Sequence, residues 1–345
     1  MIAAIAAIAA IAASAPDAIA RLDPDPLDAT GRSEQPTRQW VPRGLAMSVF
    51  NRLLVGTLPL VPRFIVGRVA ARYVAGATLE DALRVVAELN RQGAMATVDL
   101  LGEEVSERDK ALAAVDEYLR VFAAIQERGL DSNVSIKLTL LGLKVDEGFC
   151  RDNVATVAAA ARARGNFVRI DMEDSSCTDA TLRIYRELQA RHGNLGVVLQ
   201  AYMRRTLTDV AELPREGANV RLCKGIYVES RRIAWKGYET VRANFVRALE
   251  KLIESGVYPA IATHDEYLAA AATALIDRHG LRRDRYEFQM LLGVDQELRE
   301  ILIAAGHRLR VYVPYGRDWY PYSIRRLREN PEVARHVLRA LVARR

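Results

Sequence analysis

The sequence predicts an α/β fold, a (β/α)8 TIM-type barrel with N-terminal helices, on three observations. From about Ala94 onward, short β-rich apolar runs alternate with stretches whose apolar residues recur at i, i+3 and i+4. Eight such units fit into about 250 residues, the length and count of a (β/α)8 barrel. No run is followed by the GxGxxG phosphate turn that would favour a doubly wound open sheet. Alternation of this kind implies parallel strands with right-handed crossovers, because a tight hairpin cannot join parallel neighbours.

In chain order, Ile2 to Ala13 contains only Ile and Ala, and these twelve residues fall short of the roughly 20 needed to span a bilayer. Ala13-Ser14-Ala15 resembles a cleavage site, but no Lys or Arg precedes the apolar run, so a low-complexity helical extension or a misassigned start is expected rather than an export signal. Asp23 to Pro42 carries four prolines and reads as a linker. Residues 44 to 92 read as two or three helices, the last being Leu79–Arg91 after the cap-like Thr78. Strands are expected at Ala94–Leu101, Val134–Leu138, Phe167–Met172, Val197–Tyr202, Val220–Cys223, Tyr258–Thr263, Tyr286–Leu291 and Arg310–Val313. Helical patterns lie between them at Glu107–Arg128, Asp152–Arg164, Thr178–His192, Tyr238–Glu254, Glu266–His279 and Gln296–Ala305. The expected organisation is thus an apolar segment and linker over 1–43, helices over 44–92 and a barrel over 93–345.

Half of the 345 residues are apolar, enough for a core and against global disorder. The net charge of +6 is local: residues 281 to 345 hold 14 Arg and no Lys against 8 acids, and the remainder of the chain is neutral. Basic and acidic residues are interspersed, which excludes the clustered basic face of a nucleic-acid binder. Cys150, Cys177 and Cys223 are odd in number and lack a CxxC, so a reducing compartment is expected, with neither disulfide framework nor zinc site.

In such barrels the chemistry sits at the C-terminal strand ends. The first strand runs through Asp99 to Glu103 and Glu104, the second ends at Lys137, and the third leads through Asp171 to Glu173. Gln200 and Tyr202 close the fourth, Arg221, Lys224 and Tyr227 lie on or after the fifth, and Thr263 and His264 end the sixth. Glu287 and Gln289 belong to the seventh, and Tyr312 and Arg317 to the eighth. A ring with both signs of charge suits a zwitterionic or anionic small ligand. Any single Lys or Asp here could instead close an ion pair inside the barrel, and His264 alone could be a capped turn. The joint occurrence at seven or eight strand ends favours a site. After the eighth strand, Tyr322, Arg325, Arg326 and Glu329 share one face if a helix begins there. Such a helix could be merely solvated, or its Arg pair could clamp a carboxylate.

Together these segments resemble the proline dehydrogenase family in its short, monofunctional bacterial form. The resemblance rests on Val134-Ser135-Ile136-Lys137-Leu138-Thr139, Arg169-Ile170-Asp171-Met172-Glu173, Leu199-Gln200-Ala201-Tyr202, Arg221-Leu222-Cys223-Lys224-Gly225-Ile226-Tyr227, Ala262-Thr263-His264, Glu287-Phe288-Gln289-Met290-Leu291, and Tyr312 through Arg325-Arg326. It implies an FAD enzyme on a barrel, oxidising L-proline to Δ1-pyrroline-5-carboxylate by hydride transfer to the flavin. By likeness, Arg325 and Arg326 grip the proline carboxylate, with Lys137 and Asp171 completing the polar side. Tyr227, Leu291, Tyr312 and Tyr322 wall the ring, and Glu103 pairs with Arg325 as a gate. Arg221 stands near the flavin N5, where a fixed positive charge favours the reduced anion. Gln200, Cys223, Lys224, Gly225, Ile226, Thr263, His264, Gln289 and Glu329 contact the cofactor. The chain departs from bifunctional members at Val228 (Trp there), Asp265 (Asn) and Cys223 (often Val), which bears on cofactor conformation and affinity rather than on the reaction.

The family likeness further implies a quinone or other electron acceptor, a separate pyrroline-5-carboxylate dehydrogenase downstream, and a cytoplasmic location with peripheral membrane contact at the inner face left open. Two other readings stand beside it. One is a Schiff-base lyase using Lys137 or Lys224. The other is a non-catalytic module that binds proline or flavin.

Overall fold

A computed structural model describes residues 71–213, 217–320 and 323, all within one compact unit spanning 70–323. The Ile/Ala segment, the linker, the helices expected before residue 71, and Tyr322, Arg325, Arg326 and Glu329 lie outside the described residues.

Eight parallel strands close into a barrel in sequence order: β1 (Met95–Leu100), β2 (Ser132–Ile136), β3 (Val168–Ile170), β4 (Leu195–Gln200), β5 (Asn219–Cys223), β6 (Tyr258–Ala262), β7 (Glu287–Leu291) and β8 (Leu309–Tyr315). Closure comes from β1 pairing with β8 from Met95↔Arg310 to Leu100↔Tyr315. The helices are α1 (Leu79–Arg91), α2 (Arg108–Glu127), α3 (Glu147–Arg162), α4 (Thr178–His192), α5 (Thr206–Ala211), α6 (Tyr238–Glu254), α7 (Glu266–Arg278) and α8 (Gln296–Ala304). All eight expected strands are present. The short α5 has no counterpart in the sequence reading, since six residues hold too few turns to display a period.

Local chemistry fixes several ends. Thr78 caps α1 reciprocally: its hydroxyl accepts from the Asp81 amide at 3.2 Å, and the Asp81 carboxylate accepts from the Thr78 amide at 3.1 Å. Asp146 caps α3 by accepting from the Phe149 amide at 2.7 Å, which starts that helix five residues before the expected Asp152. The buried face of α1, carrying Leu83, Val86 and Leu89, packs against both β8 and β1 across the closing seam.

Outward strand residues such as Val98, Val134, Ile170, Leu222 and Val311 join the helices in one continuous apolar core. The inward residues are different in kind. Thr97, Asp99, Ser135, Arg169, Arg221, Glu287, Gln289 and Arg310 are all buried, so the barrel lumen is filled by polar and charged groups where branched aliphatics are usual. Because successive strand residues point to opposite faces, the same eight strands deliver an apolar outer seam and a charged lumen.

Candidate active site

At the C-terminal strand ends the lumen network opens towards solvent. Lys137, one residue beyond β2, is buried and donates to Asp99 Oδ1 of β1 at 2.5 Å and to the Tyr312 hydroxyl of β8 at 3.3 Å. Its Nζ also lies 3.8 Å from Asp171, which follows β3. Burial disfavours the ammonium, but the carboxylates of Asp99 and Asp171 outweigh it and hold Lys137 above the ordinary lysine range. Burial pushes Asp99 up to about 6, with Lys137 opposing and Asp171 adding to the rise.

Asp171 organises the centre. Its Oδ1 accepts from Arg221 Nη1 at 2.6 Å and its Oδ2 from the Tyr312 hydroxyl at 2.8 Å. Arg221 is buried and donates in addition to Gln289 Oε1 at 2.5 Å and Ser135 Oγ at 3.1 Å, while its guanidinium stands 5.3 Å from the Tyr312 ring centroid. A positive charge held in this manner cannot swing away, so it is pre-oriented for whatever is bound beside it.

A second grouping lies across β5 and β6. Asp265, just past β6, accepts from Arg242 at 2.9 and 2.7 Å, from the Tyr238 hydroxyl at 2.8 Å and from Lys224 at 3.1 Å. Burial alone would raise this carboxyl, but Arg242, Tyr238 and Lys224 hold it well below the usual carboxylate range. Gly225 has φ +102°, and a Cβ there would overlap the Tyr202 ring, so the backbone rests directly on that aromatic face. His264 Nε2 accepts from the Leu291 amide at 2.8 Å, which fixes the ring orientation and leaves Nδ1 as the protonated nitrogen. The Gln200 amide points at the Met172 and Glu173 carbonyls at 3.4 Å. Thr263 is buried, and its hydroxyl accepts from the Asp265 amide at 3.0 Å.

Lys137, Asp171, Arg221, Gln289 and Tyr312 are therefore joined by hydrogen bonds, and His264 meets Leu291. Glu103 is half-buried and close enough to act on the Lys137 charge. Cys223 and Tyr227 are half-buried, and Ile226 and Val228 are exposed. From sequence, Asp99 is noted on the first strand but not as the Lys137 counter-ion, and Arg242 and Tyr238, the partners of Asp265, are not singled out for the site. A lone Asp in a first strand carried the only signal for the former. For the latter there was none, because the partners sit on a helix more than twenty residues earlier.

The donor set at β4 to β7 combines an amide, an ammonium, hydroxyls, an imidazole and a fixed guanidinium over a glycine whose Cβ would have no room. That chemistry fits a flavin nucleotide, with an aromatic ring to bracket and phosphates to neutralise.

A family model described as "Proline dehydrogenase" matches residues 82–339. Proline dehydrogenase 1 of Bacillus subtilis is 37% identical over 273 residues, covering 79% of this chain and 90% of that protein. Proline dehydrogenase of Deinococcus radiodurans is 36% identical over 278 residues, with the same two coverages, 79% and 90%. Among solved structures, proline utilization A of Bdellovibrio bacteriovorus inactivated by N-propargylglycine superposes with a TM-score of 0.71 at 25% identity, over 76% of this chain. The chain spans about a third of the length of that structure, 32%.

Proposed function

Since the chain belongs to the proline dehydrogenase family, we propose that it oxidises L-proline to Δ1-pyrroline-5-carboxylate with FAD as the immediate oxidant. The observation that carries this reading is the bonded constellation of Lys137, Asp171, Arg221 and Tyr312 at the strand ends of a barrel whose family acts on proline.

When bound, the flavin supplies the two-electron chemistry, accepting a hydride from the ring carbon beside the amine. The side chains do the rest. Lys137, kept charged by Asp99 and Asp171, presents a cation to the substrate carboxylate, and Arg325 and Arg326 complete the grip. Tyr312 is oriented through its hydroxyl by Asp171, so its ring offers a flat apolar wall with Leu291, Tyr227 and Tyr322. Glu103 closes over the bound substrate by pairing with Arg325. Arg221, held by its ion pair with Asp171, would supply a fixed positive charge to the cofactor ring, which favours the reduced anion. Gln200, Cys223, Lys224, Gly225, Ile226, Thr263, His264, Gln289 and Glu329 hold the cofactor. Electrons then leave to a quinone or another acceptor, and the pyrroline product passes to a separate dehydrogenase. Among the described residues no helix is long and apolar enough to cross a membrane.

A Schiff-base lyase through Lys137 conflicts with the same geometry. An ammonium locked between two carboxylates has no free lone pair with which to attack a carbonyl. The deciding experiment is anaerobic titration of the FAD-incubated protein with L-proline while oxidised-flavin absorbance is followed. A stoichiometric fall is expected. Protein that stays colourless, or a flavin spectrum that proline leaves unchanged, would overturn the reading.

A further inference from the structure

The loop between β1 and α2 carries Glu103, and it is docked on either side of that residue. Before it, the Gly102 backbone rests on the Leu140 side chain, where a Cβ would come within 2.9 Å of Cδ1. After it, the Glu104 amide donates to Thr139 Oγ1 at 3.0 Å and the Val105 amide to the Thr139 carbonyl at 3.1 Å. Glu104 has φ +55°, a left-handed conformation that is uncommon for a residue with a side chain and persists where the surroundings over-determine it. Because Glu104 is exposed, the constraint comes from the backbone bonds to Thr139 rather than from burial of its side chain.

Thr139 is itself held. It is buried, its amide donates to Glu173 Oε1 at 3.0 Å, and its hydroxyl donates to Glu173 Oε2. In its ionised form a carboxylate only accepts, so the Thr139 hydroxyl proton is committed to Glu173 and an oxygen lone pair is left facing the Glu104 N–H. Glu173 thus decides which way the hydroxyl points. Glu173 is 5% exposed, and a buried carboxylate is a costly group if closing a strand end were its only role. It follows Asp171 by two residues, so the short segment after β3 that gives Arg221 and Tyr312 their acceptor also gives the loop its anchor. Glu103 acts through its charge on both Lys137 and Glu173, which places its carboxylate near the strand-end ammonium as well as near the clamp.

We propose that Thr139, oriented by Glu173, is a positioning residue whose two bonds to the loop hold Glu103 at the strand-end site and so set how tightly the substrate is retained. The inference rests on the proposed oxidation of proline, in which Glu103 closes over the bound substrate, and supplies what fixes Glu103 there. The clamp grips the loop and not the reacting atoms. Its loss should therefore weaken substrate binding and leave the chemical step little changed.

The test uses the full-length, FAD-loaded protein. Thr139→Val keeps the side-chain shape and the backbone bonds but removes the hydroxyl. The KM for L-proline should rise roughly fivefold, the loss of one hydrogen bond, while kcat stays within about twofold of the parent. Thr139→Ser restores the hydroxyl and should bring KM back towards the parent value. A fold that is merely weakened would show neither the split between KM and kcat nor the rescue. In a Glu103→Gln background the KM effect of Thr139→Val should largely disappear, because Thr139 acts through that carboxylate. Hydrogen exchange reads the clamp without any activity: the Glu104 and Val105 amides of the parent should exchange at least about tenfold more slowly than in a free peptide, and Thr139→Val should release the Glu104 amide. Should Thr139→Val not fold, exchange in the parent decides. An unprotected Glu104 amide in the parent overturns the proposal, as does an unchanged KM in Thr139→Val or a KM effect that persists in full beside Glu103→Gln. Flavin that proline never reduces, in a protein whose Glu104 amide is protected, overturns the assigned reaction and with it the role in substrate retention, but not the clamp.

Discussion

Lys137 is enclosed by two carboxylates, with Asp99 at 2.5 Å and Asp171 at 3.8 Å, and the first of these is the residue on which the pH behaviour turns. Asp99 is pushed up to about 6 by burial, against roughly 3.9 in an unfolded chain. A carboxyl raised on folding holds its proton in the native state when the unfolded chain has already lost it. Its contribution to stability is therefore full below about pH 4 and is lost as pH rises through about 6. Asp99→Asn should remove that slope, so urea unfolding measured at pH 4.5 and at pH 7 would differ less in the variant than in the parent. The same proton also governs function. Below about pH 6 a neutral Asp99 no longer fixes Lys137, and kcat/KM for proline should fall on the acid side with a limb near 6. That limb should vanish in Asp99→Asn, at a lower plateau. An unchanged acid limb in the variant would assign it to another group.

Between residue and molecule, the turn that follows β5 depends on Gly225. Its φ of +102° is one that L side chains rarely adopt, and the Tyr202 ring occupies the place of a Cβ. Gly225→Ala should therefore leave the strands intact but push the Lys224 to Tyr227 segment off Tyr202, weakening FAD affinity by roughly tenfold or more, readable by flavin fluorescence titration. This segment shows what could and could not be anticipated from the chain. The strands were legible because each is buried on both faces and appears as a compact β-rich run, and the polar residues that meet at the C-terminal strand ends because they fall where those runs stop. Cap-driven boundaries were harder: Asp146 extends α3 backwards through Glu147-Gly148, residues with no apolar period of their own. Partnerships were harder still. The Asp99 to Lys137 bond follows from lateral pairing of β1 with β2, and the Asp265 cluster from α6 folding back over the β6 turn, both of which are consequences of closure that local pattern does not carry.

On the scale of the whole barrel, the lumen holds a chain of hydrogen bonds from one end to the other. Arg310 grips Glu287, Glu287 accepts from Gln289 at 2.5 Å, Gln289 accepts from Arg221, and Arg221 reaches Asp171 at the strand-end site. Such a column has a sharp energetic asymmetry. Buried ions are expensive to desolvate, so the intact Glu287–Arg310 pair adds little net stability compared with apolar groups of similar volume, yet removing one partner strands the other. Glu287 also shows the pull of its partner, since Arg310 holds it below the ordinary glutamate range against the opposing effect of burial. Arg310→Met alone should therefore cost about 3–5 kcal/mol in denaturant unfolding, and Glu287→Leu alone a comparable amount. The double variant should be far less destabilised than the sum of the two, which gives a large coupling between the positions in the cycle. Its flavin reduction should nevertheless be slower than the parent's, because Gln289 loses the acceptor that orients it and Arg221 thereby loses one of its three anchors. A double variant that is both stable and fully active would show that the charged lumen serves neither stability nor the site above it.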